Sequence, residues 1–269
     1  MSLDTALISL GKYPKIGSLR FAEPTCWEDR YEGRFYNAVY SNTSGSLSGK
    51  KPDPVVFGCC FTTKQDNEAA WKIYTYGKTG LGSICVEFKI NKYKLRSALV
   101  KGCILGSNMY VGMVNYLPQD IIDTLHKPNL NSNHHRVINP DYSKFFSRFT
   151  IYNYINLLLL KRDAFDHEKE MRYFIKPPII GDKSYVNKKN VFVQKNSPID
   201  VPIDWIPLIE EVRIDSKCSD LEYSLLEDRI NDWINHSPSI VDKSQMIKQL
   251  KPIRYNVYGI PEKIKIDIP

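Results

Sequence analysis

The sequence predicts an α+β protein, with mixed and mostly antiparallel sheets and helices packed against them. Two observations carry this. Short runs rich in Val, Ile, Phe and Cys, such as Val55 to Phe61 and Ile84 to Phe88, have the length and composition of strands, and segments with apolar residues at helical spacing separate them. The order along the first half is strand, helix, strand, strand, as expected for a helix laid on a sheet. At 269 residues, with 42% hydrophobic and 25% charged side chains, the chain can bury a core without disulfide or metal staples. One domain is expected over residues 1–235, followed by a C-terminal extension or docking arm over 236–269.

The elements are justified in chain order. Leu3 to Leu10 is a short helix or strand, and Pro14 marks a turn between Gly11 and Gly17. Leu19 and Phe21 make a short strand closed by Pro24, and Trp27-Glu28-Asp29-Arg30-Tyr31-Glu32 is an aromatic and acidic knot. Ser41 to Pro54 has loop composition. Val55 to Phe61 is a strand closed by Thr62-Thr63. Asn67 to Tyr76 is a helix through Ala69, Ala70, Ile73 and Tyr74, capped by Asp66 or Asn67. Ser83 to Ile90 and Met109 to Tyr116 are strands, and the polar stretch from His126 to Tyr142 is an insertion. Phe145 to Asp163 sets Phe146, Phe149, Ile155, Leu158 and Leu159 at helical spacing and predicts a core helix. Val191 to Val193 and Val212 to Ile214 are strands, Asp220 to Ile234 is an amphipathic helix, and the Pro-punctuated tail from Ile253 to Ile268 has edge-strand composition.

Lys and Arg number 37 against 30 Asp and Glu, a net charge of +7 that draws the protein toward anions without naming one. The cations are scattered apart from pairs such as Lys50-Lys51 and Lys188-Lys189, so no basic stripe can be drawn from the sequence. Six cysteines show neither metal spacing nor a disulfide framework, which fits a reducing compartment, and Cys59-Cys60 reads as two small hydrophobes on opposite sheet faces. His134-His135 lacks partners at ligand spacing and reads as a surface pair. The N-terminus has no basic region leading into an apolar one, and the apolar run from Ile155 to Leu160 is too short to cross a bilayer. A cytoplasmic protein without a membrane partner is expected.

Chemistry is expected in the segment from Phe165 to Phe174. Read with period two it is a strand with Asp166, Glu168, Glu170, Arg172 and Phe174 on one face and Phe165, His167, Lys169, Met171 and Tyr173 on the other. Carboxylates beside a guanidinium can hold a cation, a sugar hydroxyl or a proton in transit, because each acid raises its neighbour's pKa and the guanidinium lowers it. The same pattern also serves as a solvated strand face with a cross-strand ion pair.

Taken in order, several landmarks resemble the bacterial domain-of-unknown-function 2971 family. They are Leu19-Arg20-Phe21-Ala22-Glu23-Pro24 with Trp27 to Glu32, Cys60-Phe61-Thr62, Trp71 with Tyr74, Gly82 to Phe88, Glu168-x-Glu170-x-Arg172, and Leu208-Ile209-Glu210-Glu211-Val212. They span residues 12–235. The chain departs from that family's Asn-Asp-Pro pattern, carrying Glu28 and Arg30 around Asp29. The family supplies no activity, but the resemblance implies that Trp71, Tyr74, Glu168, Glu170 and Arg172 act as a set.

More remotely, the chain is similar to the ADP-ribosyltransferase group, through Phe61-Thr62-Thr63, which looks like its aromatic-Ser-Thr-Ser strand, and Glu168-x-Glu170, which looks like its Glu-x-Glu element. That similarity implies NAD as substrate, cleaved to nicotinamide, with the ribose moved to a protein or nucleic-acid target. Glu170 would stabilise the oxocarbenium-like ribose, and Glu168 would position or deprotonate the nucleophile. Thr62 would support the acid, Arg172 would complete the catalytic set, and Trp71, Tyr74 and Arg20 would hold the cofactor. Two alternatives stay open. One is a non-enzymatic nucleotide- or phage-sensing module of bacterial defence, in which Trp71, Tyr74 and Arg172 form the recognition surface. The other is a magnesium-dependent nuclease using Asp29, Glu32, Glu168 and Glu170, although no metal is expected in the leading reading.

Overall fold

The structure is a computed structural model that describes residues 1–11, 17–24, 27, 56–64, 68–75, 77–103, 107–121, 155–177, 184–186, 192–194, 198–237 and 240–255. In chain order the named elements are α1 (Leu3–Leu10), β1 (Ser18–Phe21), β2 (Phe57–Thr62), α2 (Glu68–Thr75), β3 (Val86–Ile90), α3 (Lys92–Gly102), β4 (Asn108–Met113), β5 (Asn115–Leu117) and β6 (Leu160–Arg162). There follow β7 (Glu170–Lys176), β8 (Ser184–Val186), β9 (Phe192–Gln194), β10 (Ile199–Pro202), β11 (Ile209–Asp215), α4 (Asp220–His236), α5 (Lys243–Leu250) and β12 (Ile253–Tyr255). Helices and largely antiparallel sheets make the class α+β, as expected. Among the described residues no helix is long and apolar enough to cross a membrane.

Contacts divide the chain into two compact, discontinuous units. The first comprises Met1–Leu19, Gln65–Cys103 and Val201–Pro269, and the second Arg20–Lys64 and Ile104–Asp200. The expected boundary at residue 235 falls inside α4, and both α5 and β12 belong with the first unit.

The first unit is organised by the sheet β12-β11-β3, in which β11 runs antiparallel to β3 and parallel to β12. Val86, Val212 and Ile214 are fully buried in it, and α4 turns Leu226, Ile230 and Ile234 inward. α4 starts where it does because Ser219 and Glu222 form a reciprocal capping box that satisfies two orphan backbone donors. Asn91 likewise caps α3, accepting from the backbone of Tyr93 and Lys94, and Asp242 caps α5. Neither α3 nor α5 carries a sequence expectation; in α3 the exposed Tyr93 and Val100 lie off the face of the buried Leu95 and Leu99 and blur the helical period.

The second unit is built on the sheet β2-β7-β4, with smaller pairs β5-β6 and β8-β9. Two expectations need correction here. The core helix foreseen over Phe145 to Asp163 is helical only at residues 155–157 within the described range, and Leu160–Arg162 is strand β6, parallel to β5. A run of leucines fits a buried helix and a buried strand equally, and the parallel partner decides. The acidic segment is not one strand either. Asp163–Glu168 is a 3-10 turn, Lys169 is left-handed with φ of 44°, and the strand begins at Glu170.

Candidate active site

β7 is the middle strand of its sheet, so its side chains are hemmed in on both edges. The register sets Thr62 opposite Glu170, Cys60 and Gly112 opposite Arg172, and Gly58 and Tyr110 opposite Phe174. Glu170, Arg172 and Phe174 alternate onto one face. Phe174 packs there with Val56, Val114, Ile155, Leu158 and Leu159 as the core of the unit. Gly112 and Gly58 make the close cover possible: a Cβ at Gly112 would collide with Leu159, and one at Gly58 would stand 2.6 Å from the Trp27 ring.

Charge enters this apolar setting in a connected group. Arg172 is 1% exposed. Its Nε donates to Glu170 Oε2 at 2.7 Å, its Nη2 lies 2.6 Å from the same oxygen, and its Nη1 donates to the Leu158 carbonyl at 2.6 Å. The guanidinium lies over Trp27, 4.6 Å from the ring centroid. Burying a charge this deeply is tolerable only because these donors find acceptors.

β6 supplies a second cation. Its parallel register sets Lys161 opposite Tyr116, and the buried Lys161 Nζ donates to Glu168 Oε2 at 2.6 Å and to Glu170 Oε1 at 2.9 Å. The Tyr116 hydroxyl accepts the backbone N–H of Glu170 at 2.8 Å, which fixes the start of β7. Burial, with the Glu170 and Glu168 carboxylates nearby, raises the Tyr116 phenol above its ordinary value.

Glu168 reaches the group from the 3-10 turn. The left-handed Lys169 reverses the chain between the two acids, and the end of β2 holds that reversal. Thr62 Oγ1 donates to the Glu168 carbonyl at 2.7 Å, while the Thr63 N–H and hydroxyl donate to the Lys169 carbonyl at 2.9 and 2.8 Å. Thr62 therefore supports the main chain of Glu168, whereas direct support of an acid side chain was expected.

The electrostatic outcome separates the two acids. Burial pushes Glu168 up to about 7, helped by the adjacent Glu170 and opposed by Lys161. Burial also acts to raise Glu170, but Glu168, Arg172 and Lys161 outweigh it and hold Glu170 down to about 2. The two acids are thus driven apart, Glu170 toward a fixed charge held by two cations and Glu168 toward the neutral form.

Of the expected site residues, Thr62, Glu168, Glu170 and Arg172 come together. Arg20 is exposed on β1 and makes a two-pronged pair with Asp200, at 2.9 and 3.1 Å. Trp71 belongs to the first unit, where its ring is 4% exposed, donates its indole N–H to Glu87 and lies beside Tyr255. Tyr74 is on α2, its side chain outside the described residues, as are Asp29 and Glu32. A recognition surface built on Arg172 and Trp71 does not fit their burial. Among the described residues no group of three His, Cys, Asp or Glu side chains could hold a metal ion, and the Lys161 ammonium occupies the position between Glu168 and Glu170 that a cation would take. Burial pushes the Cys59 thiol up to about 12, too high for a nucleophile.

Lys161, Tyr116 and Trp27 are the members of the group that sequence reasoning missed. The available signal was a cation closing the leucine run from Leu157 to Leu160. Comparison with protein-family models, curated proteins and solved structures returned no match.

Proposed function

We propose that the protein is an acid–base enzyme of the ADP-ribosyltransferase type, which cleaves nicotinamide from NAD and passes the ribose to a macromolecular target, with Glu168 as the working carboxylate. The observation that carries this reading is a pair of buried acids two residues apart with unequal partners: Glu170 is held by both Lys161 and Arg172, Glu168 by Lys161 alone, so Glu170 is driven down and Glu168 up. A group titrating near neutral pH is suited to proton transfer. Glu170 has one oxygen on Lys161 and the other on Arg172, so it serves as the fixed charge and anchor. The Glu168 side chain is 16% exposed against 9% for Glu170, the more exposed of the two acids. The roles implied by the motif are thereby exchanged.

Support for this reaction class comes from the in-register pairing of Thr62 with Glu170, which joins the two pieces of sequence that carried the resemblance. Departure of nicotinamide leaves positive charge on the ribose, and an ionised Glu168 would stabilise it or accept the proton of the incoming nucleophile. Both tasks require the ionised form. Incubation with labelled NAD and lysate or nucleic acid is therefore expected to give nicotinamide release and label transfer that rise with pH through about 7. Glu168→Gln should lower the rate at least about 100-fold. Absence of both products with the wild-type protein, or an unaffected rate in Glu168→Gln, would end this reading.

A further inference from the structure

We propose that α3 is a docking face for the phosphate backbone of nucleic acid. The helix buries Leu95 and Leu99 against the first unit and has no acid among its eleven residues. Lys92, Lys94, Arg96 and Lys101 are all exposed. At about 100° per residue, Tyr93, Ser97 and Val100 form a ridge opposite the leucines, flanked by Lys92 and Arg96 on one side and by Lys94 and Lys101 on the other. Tyr93 is 72% and Val100 62% exposed, an aromatic and aliphatic crest between two rows of cations.

Helix stability alone does not account for this pattern. A helix is favoured by acids in its first turn and cations in its last, yet Lys92 and Lys94 stand in the first turn against the macrodipole. Lys92 and Arg96 are also a like-charge pair four residues apart, which disfavours the isolated helix. The acid at the helix start is Glu210 of β11, which accepts from Asn91 Nδ2, and Lys94 donates to the Pro207 carbonyl at 3.2 Å. Lys92 lies over the Tyr93 ring, 5.1 Å from its centroid. Local rules broken on an exposed face point to a ligand that compensates for them.

A polyanion fits best. Cations in two rows about one helix diameter apart can meet phosphates while Tyr93 packs against a sugar or base. A lipid surface fits less well, because the leucine face that would enter the acyl boundary is already buried in protein and only Tyr93 and Val100 remain. The net charge of +7 adds long-range attraction.

The inference does not rest on the chemistry at Glu168, and its test contains no NAD. Fluorescence anisotropy with a labelled duplex of about 20 base pairs at about 50 mM salt is expected to show binding that weakens as salt rises. The variant combining Lys92→Gln and Arg96→Gln should bind at least about tenfold more weakly, with the slope of log affinity against log salt reduced by about 1.8, at about 0.9 per lost phosphate contact. Lys94 and Lys101 are kept because both also interact within the protein, Lys94 with the Pro207 carbonyl. The glutamines sit at exposed positions and favour helix, so circular dichroism should match the wild type. Three results overturn the proposal: no duplex binding by the wild-type protein, an unchanged salt slope in the variant, or salt-sensitive binding to phosphatidylserine vesicles in place of the duplex.

Discussion

Lys161 holds two carboxylates with one ammonium, and removing it would leave both with less compensation in a buried setting. Lys161→Met is expected to destabilise the protein by about 3–5 kcal/mol in urea unfolding, the cost of breaking a buried ion pair from one side. It should also move the titration of Glu168 to higher pH, because Lys161 acts to lower it. The midpoint of the nicotinamide-release profile, or carboxyl NMR of Glu168, reads the shift. A stable variant with an unmoved midpoint would mean that the ammonium does not set this pair. At this scale the sequence was partly legible. Glu168, Glu170 and Arg172 stood out because their spacing places charge where a strand should run to the core, but Lys161 is seven and nine residues away from its acids and looked like the end of a helix.

At the scale of elements, the turn between the acids is governed by Lys169, whose left-handed backbone is costly for any residue with a Cβ. Its side chain pairs with the exposed Asp166, a contact of small worth. Lys169→Gly is expected to raise stability by about 1 kcal/mol in thermal unfolding while keeping the carbonyl that Thr63 contacts. A loss of stability would mean that the Lys169 side chain outweighs the backbone cost. The strands β2, β3 and β11 were readable in place from β-branched and aromatic content and α4 from its periodicity, whereas only the second half of the strand expected over Phe165 to Phe174 lies in β7. β6 was not, because a leucine run has no period that separates strand from helix. α3 was missed for a different reason: its inward face is little more than Leu95 and Leu99, and its cap, Asn91, is an ordinary turn residue until the helix is seen.

For the molecule as a whole, the two acids make opposite contributions to stability against pH. Glu170 is held down from 4.5 to about 2, so its contribution is present above about 4.5 and is lost as pH falls toward 2. Glu168 is raised from 4.5 to about 7, so its contribution is full below about 4.5 and is lost as pH rises through 7. The stabilisation from this group is therefore greatest near pH 4.5. Urea midpoints should fall between about pH 4.5 and 7 in the wild-type protein, and the fall should disappear in Glu168→Gln. A wild-type midpoint that tracks the variant across that range would contradict the raised value.

Composition, the α+β class and the charged Glu168-x-Glu170-x-Arg172 stretch followed from the amino acids alone, since length, apolar content and short-range periodicity are properties of neighbours along the chain. Only the tertiary structure decided that Lys161 from β6 and Arg172 from β7 close on the same carboxylate, that Trp27 covers the guanidinium, and that Trp71 is a core residue of the other unit. The physical reason is that period fixes which side chains share a face, whereas strand pairing fixes which faces meet. The parallel match of β5 with β6 and the antiparallel match of β2 with β7 join residues more than 40 positions apart along the chain.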